Sequence, residues 1–412
     1  MLLAIKRKNL SKSAVLWISV ILSIFLISGC LKKEILQKPF LQKLSPSDYP
    51  DFIDDLDYAG LESGIEGSLI YLRKVPPDRN FSFGTDKFSA AHMIRSLQSF
   101  LAFLKTKPSQ NKLRDFIKRH YSVYQSAGSD SKGDILFTGY YEPLLYGSLA
   151  RSPEYRFPVY AKPDDLVTIN LSLFASRFKG EKVVGRFAGD TVLPYYNRNE
   201  INTGNCSEAK AKVLAWVNDR VALFFLHIQG SGKVQLDNGE IINVHYHTTN
   251  GRQYRSIGKF LIETGKIPAS EMSMQRIREY LHHNPAELDA ILSYNPSYIF
   301  FKTEEKGPIG YLGVKLVAGR SIASDRKIFP LGAMAFIETE KPLVDDSGKV
   351  RAWTDCSRFV LNHDTGGAIK GPARVDLFWG NGNYAEIAAG HMKQTGRLFF
   401  LVLNKKGMRL KG

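Results

Sequence analysis

The chain has 412 residues, 44% of them hydrophobic and 23% charged. That is globular composition with room for two domains, and it excludes a long disordered region. The formal net charge of +16 favours polyanions, yet no RNA- or DNA-binding motif accompanies it, so nucleic acid is not an expected partner.

A basic start (Lys6, Arg7, Lys8, Lys12) leads into an apolar run from Val15 to Ile27, interrupted by Ser19 and Ser23. The run is short for a transmembrane helix and fits a secretory signal. It ends in Ile27-Ser28-Gly29-Cys30, small residues before a cysteine, similar to a bacterial lipobox. Residues 1–30 therefore read as a lipoprotein signal peptide with Cys30 as the lipidated residue. The competing reading is a plain cleaved signal with an incidental cysteine. Leu31 follows, rather than an acidic residue. By resemblance to Gram-negative sorting, this places the anchor in the outer membrane, with the protein facing the periplasm. Residues 31–45 read as a polar tether. Cys206 and Cys356 remain, either as one disulfide in an oxidising compartment or as two free thiols. No C-x-x-C pair occurs, which speaks against zinc.

The N-terminal third reads as helical. Ser89 can cap a helix bearing Met93, Leu97, Phe100, Leu101 and Leu104 at helical spacing. Pro108 breaks it, and Leu113, Phe116, Ile117 and Tyr121 carry a second helix. From Asp134 the texture turns to strands. Ile135 to Tyr141 is β-rich, Val221 to Ile228 reads as a buried strand, and Asp237-Asn238-Gly239 forms a hairpin before Ile241 to Val244. Ser273 caps another helix, and Asn284-Pro285 starts the next. Strands return at Ile299 to Lys302, Ala335 to Thr339, Arg358 to Leu361 and Leu398 to Leu403, with a short helix from Tyr384 to Ala389 stopped by Gly390. The pattern is mainly β with flanking helices, and many short strands suggest a barrel.

Chemistry concentrates in Asp364-Thr365-Gly366-Gly367-Ala368-Ile369-Lys370-Gly371-Pro372-Ala373-Arg374-Val375-Asp376-Leu377-Phe378-Trp379-Gly380. Glycines let backbone amides approach a ligand. Asp376 stands in an apolar frame, and a carboxyl kept from water holds its proton more readily, as a general acid requires. Each aspartate also has a plain structural reading. Asp364 can cap a turn, and Asp325, in Ser324-Asp325-Arg326, can pair with a neighbouring cation. Asp364-Thr365-Gly366 also resembles an aspartic-protease turn. Its nearest echo, Asp346-Ser347-Gly348, lies eighteen residues away and reads as a hairpin rather than a second lobe. Two further stretches offer flat rings with hydroxyl, amide and carboxylate groups suited to sugars. They are Phe137-Thr138-Gly139-Tyr140-Tyr141-Glu142-Pro143 and His227-Ile228-Gln229-Gly230-Ser231-Gly232. A core strand followed by a turn explains either equally well. His245, His247, His282 and His283 lack metal spacing and read as structural. No nucleophile elbow or P-loop is present.

Those two stretches, with Tyr254-Arg255-Ser256-Ile257-Gly258, Asn295-Pro296-Ser297-Tyr298-Ile299-Phe300-Phe301 and Asp364 to Gly380, resemble the membrane-bound lytic murein transglycosylases of type A. The likeness runs from about Asp134 to the C-terminus, and its closing part is similar to the three-aspartate domain. It implies a double-psi β-barrel domain (residues 46–145 and 298–412) with an inserted β-rich domain (146–297) and a glycan groove between them. It further implies Asp376 as the catalytic acid, supported by Asp364 and Asp325. The substrate contacts would be Thr138, Gly139, Tyr140, Tyr141, Glu142, Gln229, Gly230, Ser231, Gly232, Lys370 and Trp379. Thr248-Thr249-Asn250-Gly251 departs from the family pattern. The implied reaction cleaves the β-1,4 bond of peptidoglycan as the muramic acid 6-hydroxyl closes a 1,6-anhydro ring, with no metal or organic cofactor. The expected partners are peptidoglycan strands, the membrane through the lipid anchor, and unspecified wall-synthesis or division proteins. A water-using hydrolase, with Asp364 or Glu142 as second carboxylate, and a non-catalytic wall-binding lipoprotein remain the alternatives.

Overall fold

The computed structural model describes residues 39–128, 133–205, 210–367 and 369–405. The leader, Cys30, Cys206 and Ala368 lie outside the described residues. Everything below concerns the unit that begins at Phe40.

Alternation drives the central structure. In β1 (Ile135–Tyr140) Ile135 and Phe137 are fully buried while Leu136 between them is exposed, as a strand with one face on a core requires. Five more strands share this core: β2 (Ser321–Ala323), β3 (Met334–Val344), β4 (Val350–Asp364), β5 (Arg374–Phe378) and β6 (Lys393–Leu403). Their order is β1-β5-β2-β4-β3-β6, and β6 returns to β1 through Lys393↔Thr138 to Gly396↔Ile135. The sheet is thus closed into a six-stranded barrel without free edges in the ring. β1 and β5 are parallel, as are β2 and β4, and the other pairings are antiparallel.

The far half of β6 keeps its pairing with β3 as far as Leu401, and its other edge pairs with Tyr121–Ser126, which pairs in turn with Leu41–Lys43. The tether expected over 31–45 therefore gives way to structure by Leu41, whose side chain is buried. Helices Ala90–Leu104 and Gln110–His120 form where the periodicity placed them, except that Tyr121, counted with the second, opens the strand Tyr121–Ser126; the first is capped by Ser89 Oγ accepting from His92 N–H at 3.2 Å. Helix Leu61–Leu72 was not anticipated. Its apolar positions (Leu61, Ile65, Leu69, Leu72) are spaced helically, but Gly64 and Gly67 weaken the local signal. Two buried arginines fasten the N-terminal loop to the barrel. Arg320 grips Asp54 through both nitrogens at 2.6 and 2.8 Å, and Arg358 grips Asp55 at 2.7 and 2.5 Å.

Between β1 and β2 the chain builds a second sheet of six strands. In spatial order these are Ile299–Glu304, Ile241–Thr249, Ser231–Leu236, Leu144–Ser148, Val213–Val217 and Phe157–Tyr160. A bridge from Ala161 to Phe301 links its two edges. It has its own core of Leu145, Val159, Val217, Leu226, Val234, Val244 and Phe301. Ile299–Glu304, counted with the barrel in the sequence reading, belongs to this sheet, because its register with Asn243–Thr249 buries Phe300 and Phe301 there. A three-stranded sheet (Val167–Asn170, Lys182–Ala188, Thr191–Pro194) lies within the same stretch. The mainly β architecture expected, a barrel interrupted by a β-rich insert, is what forms.

Two local expectations are corrected. Val221 to Ile228 is helical: the helix Arg220–Gln229 starts on Asp219, whose carboxylate accepts the Val221 and Ala222 N–H groups at 2.7 and 3.1 Å, and ends on left-handed Gly230. Buried on nearly every side, it shows no amphipathic period that would separate it from a strand. The helix near the C-terminus spans Asn383–His391 and runs through Gly390 instead of stopping there. The Gln275 side chain packs where a Cβ on Gly390 would sit.

Candidate active site

Register brings the chemistry together. Across the barrel wall Asp364 of β4, Ala323 of β2, Asp376 of β5, Thr138 of β1 and Lys393 of β6 stand in one row. A slip in the β2–β4 pairing passes over His363 and sets Asp364 opposite Ala323. Without that bulge the buried His363, bonded to Ser68 and Ser321 at 2.9 and 3.0 Å, would take the place in the row. Ala323 is the smallest side chain that keeps the strand paired, so the two carboxyls face each other over a methyl group. Strands are about 4.8 Å apart, so the two aspartate backbones lie about 10 Å from each other.

Asp376 is nearly buried. Thr138 Oγ1 donates to its Oδ1. Arg374, two residues before it on the same face, places Nε 3.1 Å from Oδ1 and Nη2 3.4 Å from Oδ2. Asp364 accepts the Tyr311 and Thr365 N–H groups on Oδ1, both at 2.9 Å, and the Tyr140 hydroxyl on Oδ2 at 3.1 Å. Burial pushes its carboxyl up to about 6, against the pull of those three donors, and the nearby Asp376 adds to the rise. The Tyr140 phenol is raised for the same reasons, by burial first and then by the adjoining Asp364 charge. One carboxylate thus sits in a cationic clamp, while its neighbour keeps a proton close to neutrality. Such a split separates proton-transfer roles in many active sites.

Asp325 does not join the row. It is buried, and its oxygens accept Lys327 N–H and Gly371 N–H, both at 2.9 Å. That ties the turn after β2 to the glycine-rich segment before β5. Lys370 is solvent-exposed beside that tie. Of the other expected contacts, Thr138 and Tyr140 lie at the carboxylates, and the remainder are packed or bonded within the fold. Gly139 is a contact point inside the fold: a Cβ there would lie 2.7 Å from Trp379 Nε1 and 2.8 Å from Ala389 Cα. Trp379 itself is buried against Tyr384, ring centroids 5.9 Å apart. Tyr141 is buried, its hydroxyl accepting from Arg278 at 3.0 Å and its N–H donating to Gln229 Oε1 at 3.0 Å. Gly230 caps the helix, Ser231 pairs with His245, and Gly232 lies against Pro143 and Leu226. Glu142 is fully buried, with Lys233 at 3.4 Å and Asn381 at 3.3 Å.

Two participants escaped the sequence reading. Arg374 was in plain view, and the two-residue period of a strand pairs it with Asp376. The Tyr254 phenol, in the segment after Ile241–Thr249, is raised by burial, with a hydrogen bond to Ser256 and the Arg374 and Arg198 charges pulling the other way. Among the described residues no group of three or more metal-ligating side chains is assembled, and no helix is long and apolar enough to cross a membrane. Cys356 is a buried free thiol.

A closed barrel with a β-rich insert, carrying a row of acids on its wall, defines a class that the comparisons with known proteins make explicit. Residues 136–302 match the MltA specific insert domain, and residues 320–402 match the 3D domain. The membrane-bound lytic murein transglycosylase A of Escherichia coli strain K12 is 35% identical over 282 residues, 68% of each chain. The crystal structure of membrane-bound lytic murein transglycosylase from Agrobacterium tumefaciens matches with a TM-score of 0.72 at 29% identity, covering 90% of this chain and 99% of that one. E. coli MltA with bound chitohexaose matches with a TM-score of 0.67 at 26% identity, covering 90% and 97%. The chain belongs to the membrane-bound lytic murein transglycosylase A family.

Proposed function

We propose that this protein is a peptidoglycan lytic transglycosylase in which Asp376 performs both proton transfers. The observation that carries the reading is the row on the barrel wall: a nearly buried aspartate held by Thr138 and Arg374, with a second, partly protonated aspartate across a single alanine. Family membership and a relative with chitohexaose bound support a glycan as the occupant. The glycan strand lies between the barrel and the inserted sheet, with Tyr254 on the insert side.

Asp376 as an acid protonates the bridging oxygen between N-acetylmuramic acid and N-acetylglucosamine while the bond to the muramic anomeric carbon breaks. As a carboxylate it then takes the proton of the muramic 6-hydroxyl, whose oxygen closes the 1,6-anhydro ring. The nucleophile belongs to the substrate, so proximity replaces an activated water, and one carboxyl suffices where an ordinary glycosidase needs two. Asp364, its carboxyl raised to about 6, carries less than a full negative charge beside Asp376 at mildly acid pH. Asp325 shapes the segment that carries Lys370 to the groove. The leader and Cys30 fit a lipid anchor in the outer membrane that holds the barrel and its insert in the periplasm.

A water-using hydrolase is the second reading, favoured by the two acids in one row, with Asp364 as the second carboxylate. Glu142 is too deeply buried to serve. Mass spectrometry of sugars released from purified peptidoglycan decides: anhydro-muropeptides support the transglycosylase, and reducing ends mean hydrolysis. No release at all means a binding protein. Asp376→Ala is expected to be inert, and retained turnover would sink the assignment.

A further inference from the structure

The small sheet of the insert (Val167–Asn170, Lys182–Ala188, Thr191–Pro194) has two unlike faces. Residues directly opposite each other on antiparallel strands share a face. Val167 stands opposite Gly185, Ile169 opposite Val183, Phe187 opposite Val192, and Pro194 opposite Gly185. One face is therefore Val167, Ile169, Val183, Phe187, Val192 and Pro194, with Gly185 among them. The other face is turned to the protein. There Val184 packs on the cluster of Tyr195, Tyr298 and Phe300, and the Arg186 guanidinium lies 4.3 Å from the Tyr196 ring centre. On the first face none of the six apolar residues is buried, and none joins a hydrophobic cluster among the described residues. The loop from Leu171 to Glu181, which joins the first two strands, adds Leu173 and Phe174. With Phe187 these are the three most exposed large apolar side chains among the described residues, at 82%, 72% and 67%. Apolar surface left open to water in one patch marks a contact with something apolar.

Charge and tethering point to the occupant. Arg177, Lys179 and Lys182 are exposed in and beside this loop, with Glu181 as its single acid. The other acid of the stretch, Asp190, lies in the turn at the opposite end of the sheet. Leucyl and phenyl groups beside cations suit a bilayer with anionic headgroups: the apolar groups enter the acyl boundary while ammonium and guanidinium groups stay with the phosphates. With Cys30 lipidated, the chain from Cys30 to Phe40 spans at most about 35 Å. The folded unit is then held beside a bilayer, where even a weak affinity acts at high effective concentration. We propose that this sheet face and its loop form a second membrane contact: they dock on a phospholipid surface bearing anionic headgroups, the bilayer that carries the anchor, and hold the insert against it. The inference rests on the anchor reading given above.

The test uses the full-length lipidated protein reconstituted into phosphatidylcholine vesicles with and without phosphatidylglycerol. Phe187→Trp places an indole on the face, and lipids brominated near the headgroup report its contact by quenching. The same substitution is made on a background of Arg177→Glu, Lys179→Glu and Lys182→Glu. Each cation near an anionic surface strengthens the attraction about fivefold, so loss of the three should weaken docking by about a hundredfold or more. Quenching of the added emission is expected with phosphatidylglycerol present, and its loss is expected in the charge-reversed protein. No quenching, or quenching indifferent to those three residues, overturns the proposal. A further variant, Leu173→Ser with Phe174→Ser and Phe187→Ser, is compared with the parent in detergent. Its circular dichroism, its sedimentation and its release of sugars from purified peptidoglycan should match the parent's. Lost release by a folded variant means that the face holds glycan, and a parent dimer that the variant loses means that a second copy covers it; either result overturns the proposal. Flotation of the parent with phosphatidylcholine vesicles in high salt tests the anchor alone. Failure to float would overturn the anchor reading and not the quenching result, so the two failures are distinct.

Discussion

Replacing Asp364 with asparagine should stabilise the protein, and only above mildly acid pH. Asp364 is lifted from 3.8 to about 6 in the folded state, chiefly by burial. Below 3.8 the carboxyl is neutral in the folded and unfolded chains alike and contributes nothing. As pH rises from there the unfolded chain ionises while the folded one keeps its proton, and stability declines until about pH 6. Beyond that both forms are ionised and the full penalty remains. About two pH units at about 1.4 kcal/mol each is about 3 kcal/mol, and about 2 after allowing for the part of the residue that reaches solvent. Asparagine suits the site. Its Oδ1 still accepts the Tyr311 and Thr365 N–H groups, and its amide can donate to the Tyr140 oxygen where the carboxylate accepted from it. Urea unfolding of parent and Asp364→Asn at pH 4 and pH 7.5 measures the difference. The variant should gain about 2 kcal/mol at pH 7.5 and almost nothing at pH 4. An equal gain or loss at both pH values refutes the reasoning, since a change in packing has no such dependence.

Two further substitutions probe the frame that holds the site. Asp54→Ala strands Arg320, both side chains being fully buried. A loss of about 3–5 kcal/mol is expected in urea unfolding, and less than about 1 would mean that water reaches the pair. Gly139→Ala drives a methyl group into Trp379 and Ala389. The expected cost is about 1–3 kcal/mol with a drop in activity through the neighbouring Thr138, and an unchanged melting temperature would contradict the packing described here.

Period-2 alternation in β1 and the turn at Asp237-Asn238-Gly239 were legible because one face meets a core and the next meets water. The caps at Ser89 and Ser273 were legible because a side-chain oxygen meets the first free N–H groups a few residues on. Those are local effects, and the residues that cause them are neighbours in the chain. The dense run from Asp364 to Gly380 likewise marked the acids of the barrel wall before any strand was placed. Segments buried on all sides could not be read this way. Val221 to Leu226 and Ile299 to Phe301 are unbroken apolar runs, so periodicity named neither the helix nor the sheet to which the strand belongs. Only the closed barrel decided the site itself. Asp364 and Asp376 meet over Ala323, and Thr138 joins them from more than two hundred residues away, because strand register sets such distances. Glu142 and Trp379 are turned inward, and Asp325 serves a backbone tie. A carboxylate's identity is written in the sequence, but its neighbours, and with them its proton, are set by which strands lie side by side.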